Sequence, residues 1–183
     1  SGIGRGLTEC FVQAGDRVVA FDCDAGALDQ LAAELDGGTL VPVVGDLAEA
    51  AEVEACLSLA ACKLGPVELL INNAGITGGP AATTLHETSI ADFDRVSAVN
   101  VRGAFLMCRG VLPGMIERRQ GIIVNIASVA GLVAFPGRAA YSITKGALIQ
   151  LTRSIAVDYA RHGIRAVALC PGMIETPMTS WRL

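Results

Sequence analysis

Aromatic side chains are scarce in this sequence, with five Phe, two Tyr and one Trp among 183 residues. Any core must therefore be built from aliphatic side chains. Charge is also thin, at 17% Asp, Glu, Lys and Arg against 52% hydrophobic residues. That balance suits parallel strands covered on both faces by helices. Only two histidines occur, His86 and His162, far apart and without a Cys or second His at ligand spacing, so no metal site is expected. The six cysteines, at 10, 23, 56, 62, 108 and 170, form no Cys-x-x-Cys pair. Cys10, Cys23, Cys108 and Cys170 lie in apolar stretches and are expected to be buried free thiols, which points to a reducing, cytoplasmic compartment. No apolar run approaches bilayer length, so no membrane partner is expected. No basic leader precedes an apolar stretch, so no signal peptide is expected. The net charge is −4, and Arg118-Arg119 is the nearest thing to a basic cluster. That pair reads as a solvated helix end, and no nucleic-acid partner is expected.

What is present alternates. Short β-branched runs at 17–21, 39–44, 67–71, 121–127 and 164–170 are separated by helical patterns at 5–14, 24–36, 47–64, 89–119 and 139–162. This order predicts an α/β fold with a parallel sheet and right-handed crossovers, in one domain over 1–183. Residues 75–84 read as a loop, and the less polar 131–139 as a partly covered connection.

The opening "SGIGRG" places glycines at 2, 4 and 6 ahead of a helical pattern. A helix starting there offers free N–H groups and a positive dipole end to a pyrophosphate. Glycine-rich turns are common, so this alone says little. Asp22 ends the next strand, eighteen positions after Gly4. A dinucleotide fold uses an acid about 20 residues on to bind the adenosine ribose, and a carboxylate there repels a 2′-phosphate. NAD is thereby favoured over NADP. Asp24 is expected to cap the following helix, and Asp46 either to cap one or to touch adenine. "INNAG" (71–75) follows the run at 67–71, at a strand end of the kind that lines the ligand crevice in such sheets.

"AAYSITKGA" sets Tyr141 and Lys145 one helical turn apart on one face. Tyrosine ionises about three units above neutral pH, and a neighbouring ammonium lowers that value. The pair makes a proton donor and acceptor suited to alcohol–ketone interconversion. Ser128 ends a strand and either holds a substrate oxygen or makes a local turn. Asn100 lies mid-helix, where asparagine is disfavoured, so it either bonds a nearby carbonyl or holds a water feeding protons to Lys145.

Gly-x-Gly, Asp22, Asn72-Asn73-Ala74-Gly75, Asn100, Ser128, Tyr141-x-x-x-Lys145 and Pro171-Gly172, in that order, resemble the short-chain dehydrogenase/reductase superfamily. The likeness spans essentially the whole chain, and is to the single-domain branch with a Thr-Gly-x-x-x-Gly-x-Gly turn. It implies a Rossmann-like doubly wound parallel sheet and an NAD-dependent oxidoreductase acting on a secondary alcohol or ketone. It further implies Tyr141 as the acid/base, Lys145 lowering its pKa and bonding the nicotinamide ribose, Ser128 orienting the carbonyl and Asn100 anchoring a relay water. Gly2, Ile3 and Gly4 would meet the pyrophosphate, Asp22 the ribose, and Asp46 and Leu47 adenine. Asn73, Ala74 and Gly75 would lie on the adenosine side, and Pro171, Gly172, Ile174 and Thr176 by the nicotinamide amide. NADP-using relatives often carry a basic residue before Gly-x-Gly, where this chain has Ser1.

The resemblance also implies missing parts. The family's first strand, central in its 3-2-1-4-5-6-7 order, and its last strand have no counterpart here. An interrupted sheet and a fragment of a longer product are therefore expected. Two other functions compete: an NADPH-dependent 3-oxoacyl-carrier-protein reductase, against which Asp22 and Ser1 argue, and a catalytically silent nucleotide-binding protein. A homodimer or homotetramer joined through the long helices is expected, with Arg138 the one candidate for binding a substrate anion.

Overall fold

The computed structural model describes residues 1–35, 38–78 and 84–180. Their contacts form two compact units, Ser1–Gly65 with Met173–Leu183, and Pro66–Gly172. Residues 79–83 of the predicted 75–84 loop lie outside the described residues.

The first unit contains α1 (Gly2–Gln13), β1 (Val18–Asp22), α2 (Ala25–Glu34), β2 (Leu40–Val44) and α3 (Ala50–Leu64). β1 and β2 pair in parallel, from Val18 opposite Leu40 to Asp22 opposite Val44. Asp24 caps α2 as expected, accepting from Ala27 N at 3.0 Å. Asp46 caps no helix. Its carboxylate accepts from Ala48 N at 2.8 Å in an Asx turn, and α3 starts later with Glu49 at its N-cap position.

The second unit contains β3 (Leu69–Asn72), α4 (Ile90–Ser97), α5 (Ala104–Arg118), β4 (Gly121–Ile126), α6 (Ala139–Tyr159) and β5 (Ile164–Leu169). Its strands are all parallel in the order β3-β4-β5. Among the described residues the strands thus form a pair and a triplet, an incomplete sheet. α5 packs on β3 and β4, and α6 on β4 and β5. The core of this unit is aliphatic, including Leu70, Met115, Ile123 and Leu148.

Of three further expectations, two hold in outline and one fails in part. The helix predicted over 89–119 forms from Ile90 to Arg118, with a wide π turn at Ala98–Gly103 that contains Asn100. The connection at 131–139 is partly covered: Leu132, Val133 and Phe135 are exposed, while Arg138 is buried and Gly131, Gly137 and Ala139 are half-buried. Cys10 and Cys23 are exposed rather than buried, whereas Cys56 and Cys108 are buried. Cys10 lies on the outward side of α1, and Cys23 lies just past the end of β1.

A buried polar chain crosses the second unit. Asn72 Nδ2 donates to Asn125 Oδ1 at 2.8 Å and to Cys108 Sγ at 3.2 Å. Asn125 Nδ2 donates to Thr152 Oγ1 at 2.8 Å, and Thr152 Oγ1 donates to Leu148 O at 2.8 Å. This chain joins β3, β4, α5 and α6 just below the strand tips. Asn125→Leu keeps the volume but strips partners from Asn72 and Thr152. We expect it to cost about 2–4 kcal/mol in urea unfolding, from groups left buried without partners. A cost under about 0.5 kcal/mol would show the chain to be dispensable.

Candidate active site

Parallel strands place all their carboxyl ends on one edge of the sheet. In the second unit those ends are Asn72, Ile126 and Leu169. The segments leaving them carry Asn73–Gly75, Ser128 and Pro171–Gly172, so the register itself gathers these predicted residues. Past β4 the chain stays tied to the β5 side, with Ala127 N donating to Leu169 O at 2.7 Å and Val129 N to Pro171 O at 3.0 Å. Ser128 is extended, and its Oγ accepts from Ala130 N at 3.1 Å, capping the 3₁₀ turn Val129–Gly131. The hydroxyl thus makes the local turn, and a hydrogen bond from the same group pulls the Tyr141 phenol down.

α6 sets Tyr141 and Lys145 on one face, with Lys145 Nζ 5.7 Å from the centre of the tyrosine ring. Lys145 is only 4% exposed. Its Nζ donates to Ile126 O, the last carbonyl of β4, at 2.7 Å. Burial pushes the ammonium down to about 8, weakly opposed by Cys170. Burial pushes the Tyr141 phenol up, while the hydrogen bond with Ser128 and the charge of Arg138 pull it down. Spacing alone points to Lys145 as the group that acidifies Tyr141. In the structure the ammonium is turned to Ile126 O, and Ser128 and Arg138 exert that pull.

Asn100 is 2% exposed and clamps a loop to a helix. Its Oδ1 accepts from Ile76 N at 2.8 Å, and its Nδ2 donates to Ile76 O at 2.9 Å and Thr144 Oγ1 at 3.0 Å. Turning this amide sideways onto a loop accompanies the π turn that divides α4 from α5, a distortion often found at functional sites. Thr144 Oγ1 in turn donates to Tyr141 O at 2.8 Å. Gly75 fills the remaining gap. A Cβ there would stand 3.2 Å from Asn100 Oδ1 and 3.3 Å from Lys145 Nζ. Gly75, Asn100, Ser128, Tyr141 and Lys145 are therefore brought together. Asn73 is half-buried and Ala74 exposed beside them, Pro171 bonds the Ser128 turn, and Gly172 stands open.

In the first unit the glycines lie within α1 rather than ahead of it, because the helix begins at Gly2. Arg5 N is the first to donate along the helix, to Ser1 O at 3.1 Å, so Gly2, Ile3 and Gly4 carry the N–H groups that precede the ladder. Gly2 has φ +51°, and Thr176 packs on it, 3.2 Å from where a Cβ would be. The Thr176 hydroxyl hydrogen-bonds that of Thr179 at 3.1 Å, and Ile174 is exposed. Asp22 closes β1 and accepts from Asp24 N at 3.1 Å. On the adjacent strand end, Asp46 N donates to the Glu52 carboxylate at 2.7 Å, with Leu47 half-buried beside it. The thiol of Cys23, pushed up first by burial and then by Asp22 and Asp46, records the negative field there.

Thr144, Asn125 and Thr152 were not anticipated from sequence. Thr144 was legible in principle, since a threonine three residues after Tyr141 can bond that residue's carbonyl. Asn125 and Thr152 carried no local signal. Among the described residues no three His, Cys, Asp or Glu side chains could hold a metal, and no helix is long and apolar enough to cross a membrane.

The family model for short chain dehydrogenases matches residues 1–182. The chain belongs to that family. It is 51% identical to a 2-(R)-hydroxypropyl-CoM dehydrogenase of Xanthobacter autotrophicus, over 100% of this chain and 74% of that protein. It is 37% identical to a 3-oxoacyl-[acyl-carrier-protein] reductase of Thermotoga maritima, over 98% and 72%. The crystal structure of a 3-ketoacyl-(acyl-carrier-protein) reductase from Brucella melitensis complexed with NADH superposes with a TM-score of 0.92 at 35% identity, covering 98% of this chain and 75% of that one. The protein is thus an oxidoreductase acting on CH–OH groups of small molecules with a nicotinamide cofactor, on a Rossmann-like fold. In the first unit, the N–H groups ahead of the α1 ladder and the carboxylate closing β1 suit parts of such a cofactor; in the second, Gly75 leaves room beside Lys145.

The buried ammonium sets a pH-dependent cost. Its folded pKa near 8 lies below the unfolded value of 10.5, so the unfolded chain binds the extra proton between those values. Stability therefore rises with pH across that window, and a cost of about 3 kcal/mol is fully present below pH 8. Lys145→Met removes the charge and also the donor to Ile126 O. We expect it to stabilise the fold by about 1–2 kcal/mol at pH 7 and to destabilise it by about 1–2 kcal/mol at pH 10.5, where only the lost donor counts, as read by urea unfolding. Destabilisation of equal size at both pH values would refute this account.

Proposed function

We propose that the protein interconverts a secondary alcohol and a ketone with NAD, with Tyr141 moving the proton. The observation that carries this reading is the half-buried Tyr141 phenol, bonded to Ser128 and standing beside an ammonium held on a strand-end carbonyl. Ser128 orients the substrate oxygen toward the phenol. Lys145 bonds the nicotinamide ribose and supplies positive charge near the site. Both Asn100 N–H groups are already engaged, so a relay water at this residue is held by an oxygen. When bound, the nicotinamide gives or takes the hydride.

For the rest of the cofactor, Gly2, Ile3 and Gly4 hold the pyrophosphate, and Asp22 takes the ribose hydroxyls. Asp46 and Leu47 flank adenine, and Asn73, Ala74 and Gly75 the adenosine. Pro171, Gly172, Ile174 and Thr176 serve the nicotinamide amide. The negative field around Asp22 and Asp46 supports NAD over NADP. The buried Arg138 guanidinium, whose charge reaches Tyr141, favours a substrate bearing an anionic group. The relative named for a hydroxypropyl-CoM substrate supports a hydroxyalkyl compound of that kind. We further propose a single cofactor-binding domain, a cytoplasmic location, and a homodimer or homotetramer joined through α5 and α6. The exposed Phe105 and Val157 on those helices are consistent with such contacts.

Tyr141→Phe is expected to lower kcat by a factor of about 10²–10⁴ while NADH fluorescence titration shows unchanged binding. Wild-type turnover in this variant would end the assignment. Asp22→Asn should narrow the preference for NADH over NADPH by removing a charge that repels a 2′-phosphate. Tighter NADPH than NADH binding by the unaltered protein would reverse the cofactor choice.

A further inference from the structure

The turn carrying Ser128 approaches α6 more closely than any side chain would permit. A Cβ on Gly131 would stand 2.7 Å from Lys145 C, 2.8 Å from Lys145 O and 2.9 Å from Gly146 N. On the facing side, a Cβ on Gly146 would stand 3.6 Å from Gly131 O. Backbone therefore rests on backbone, with glycine on both sides. Gly45 and Gly121 also exclude a Cβ, but against the side chains of Phe21 and Met115 rather than backbone. Gly163 is crowded by the backbone of Arg119, remote from Tyr141 in the connection after α6.

Both partners in this contact bear on the site. Lys145 carries the buried ammonium. Gly131 N donates to Ser128 O at 2.9 Å, and Ala130 N to Ser128 Oγ at 3.1 Å, so the turn from Ser128 to Gly131 moves as one piece. We propose that Gly131 is a positioning residue, whose seat on the Lys145–Gly146 backbone sets the approach of the Ser128 hydroxyl to the Tyr141 phenol. This rests on the assignment of Tyr141 as the proton donor and acceptor.

A methyl group at 131 would force the turn back by roughly 0.8 Å to reach ordinary carbon contact. Such a retreat stretches the Ser128–Tyr141 hydrogen bond. The charged and titratable groups facing the phenol are Arg138 and Lys145 on its own helix, with Cys170, after β5, acting on Lys145. None of these lies within the turn from Ser128 to Gly131. Loss of Ser128 alone thus leaves the upward push of burial less opposed.

The test uses the full-length protein. Gly131→Ala should lower kcat by about 100-fold, the size of effect expected of an ångström-scale misplacement. KM for the cofactor should not change, and the basic limb of the pH–rate profile should move to higher pH. In a Ser128→Ala background the same substitution should cost little more, because Gly131 acts through Ser128. Gly26→Ala, on the exposed side of α2, should leave activity unchanged. If Gly131→Ala does not fold, Gly146→Val pushes the same contact from the other side and should move kcat and the pH profile in the same directions. A folded Gly131→Ala with a wild-type profile, full additivity with Ser128→Ala, or failure of both glycine variants to fold would overturn the proposal. An inactive Tyr141→Phe beside a normal Gly131→Ala would sink only this inference; an active Tyr141→Phe would sink the underlying assignment.

Discussion

The hydrogen bond from the Lys145 ammonium to the Ile126 carbonyl is the constraint on which the second unit's site depends. It ties the middle of one helix to the end of one strand. Once Lys145 is held there, the helical repeat dictates where Tyr141 stands, one turn earlier. The strand continues from Ile126 into Ser128, so the phenol and the serine hydroxyl meet. A charge buried to this degree works against folding, and a core that only needed stability would hold an apolar side chain instead. Its presence marks a trade of stability for a fixed ammonium beside a phenol.

Around that bond the polar groups are arranged so that few buried donors go without acceptors. Asn100 satisfies both polar groups of Ile76 and one hydroxyl of α6. Asn72, Asn125 and Thr152 run in series beneath the strand tips. Two polar systems, one above the other, thus hold α6 at a defined depth against the sheet. Glycine completes the arrangement where no side chain has room, at Gly75 between the asparagine and the ammonium and at Gly131 on the helix backbone. The phenol is left under opposed influences: burial keeps its proton on, and a hydroxyl and a guanidinium favour its release.

The alternation of elements was legible because both of its periods are local. β-branched runs marked all five strands to within two residues at each end, and apolar spacing marked the helices between them. The site residues were legible for a similar reason, since Tyr141 and Lys145 share a helix turn and Ser128 ends a strand. The failures share a cause as well. A helical pattern from 89 to 119 carries no sign that Asn100 will turn to a loop backbone 24 residues earlier. Cys10 and Cys23 read as buried because sequence reports hydrophobicity and not which side faces a neighbour.

By itself the sequence determined which elements form, in which order, and which side chains share a helix face or a strand end. Those properties depend on the backbone repeat and on neighbours a few residues away. Only the tertiary structure decided that Lys145 gives its hydrogen bond to Ile126, that burial holds the tyrosine up against the pull of Ser128 and Arg138, and that Gly131 meets α6 without a side chain between them. Each of these joins residues on different elements, and depends on how far burial removes water from them and how close two backbones come. Neither quantity exists until the chain is folded.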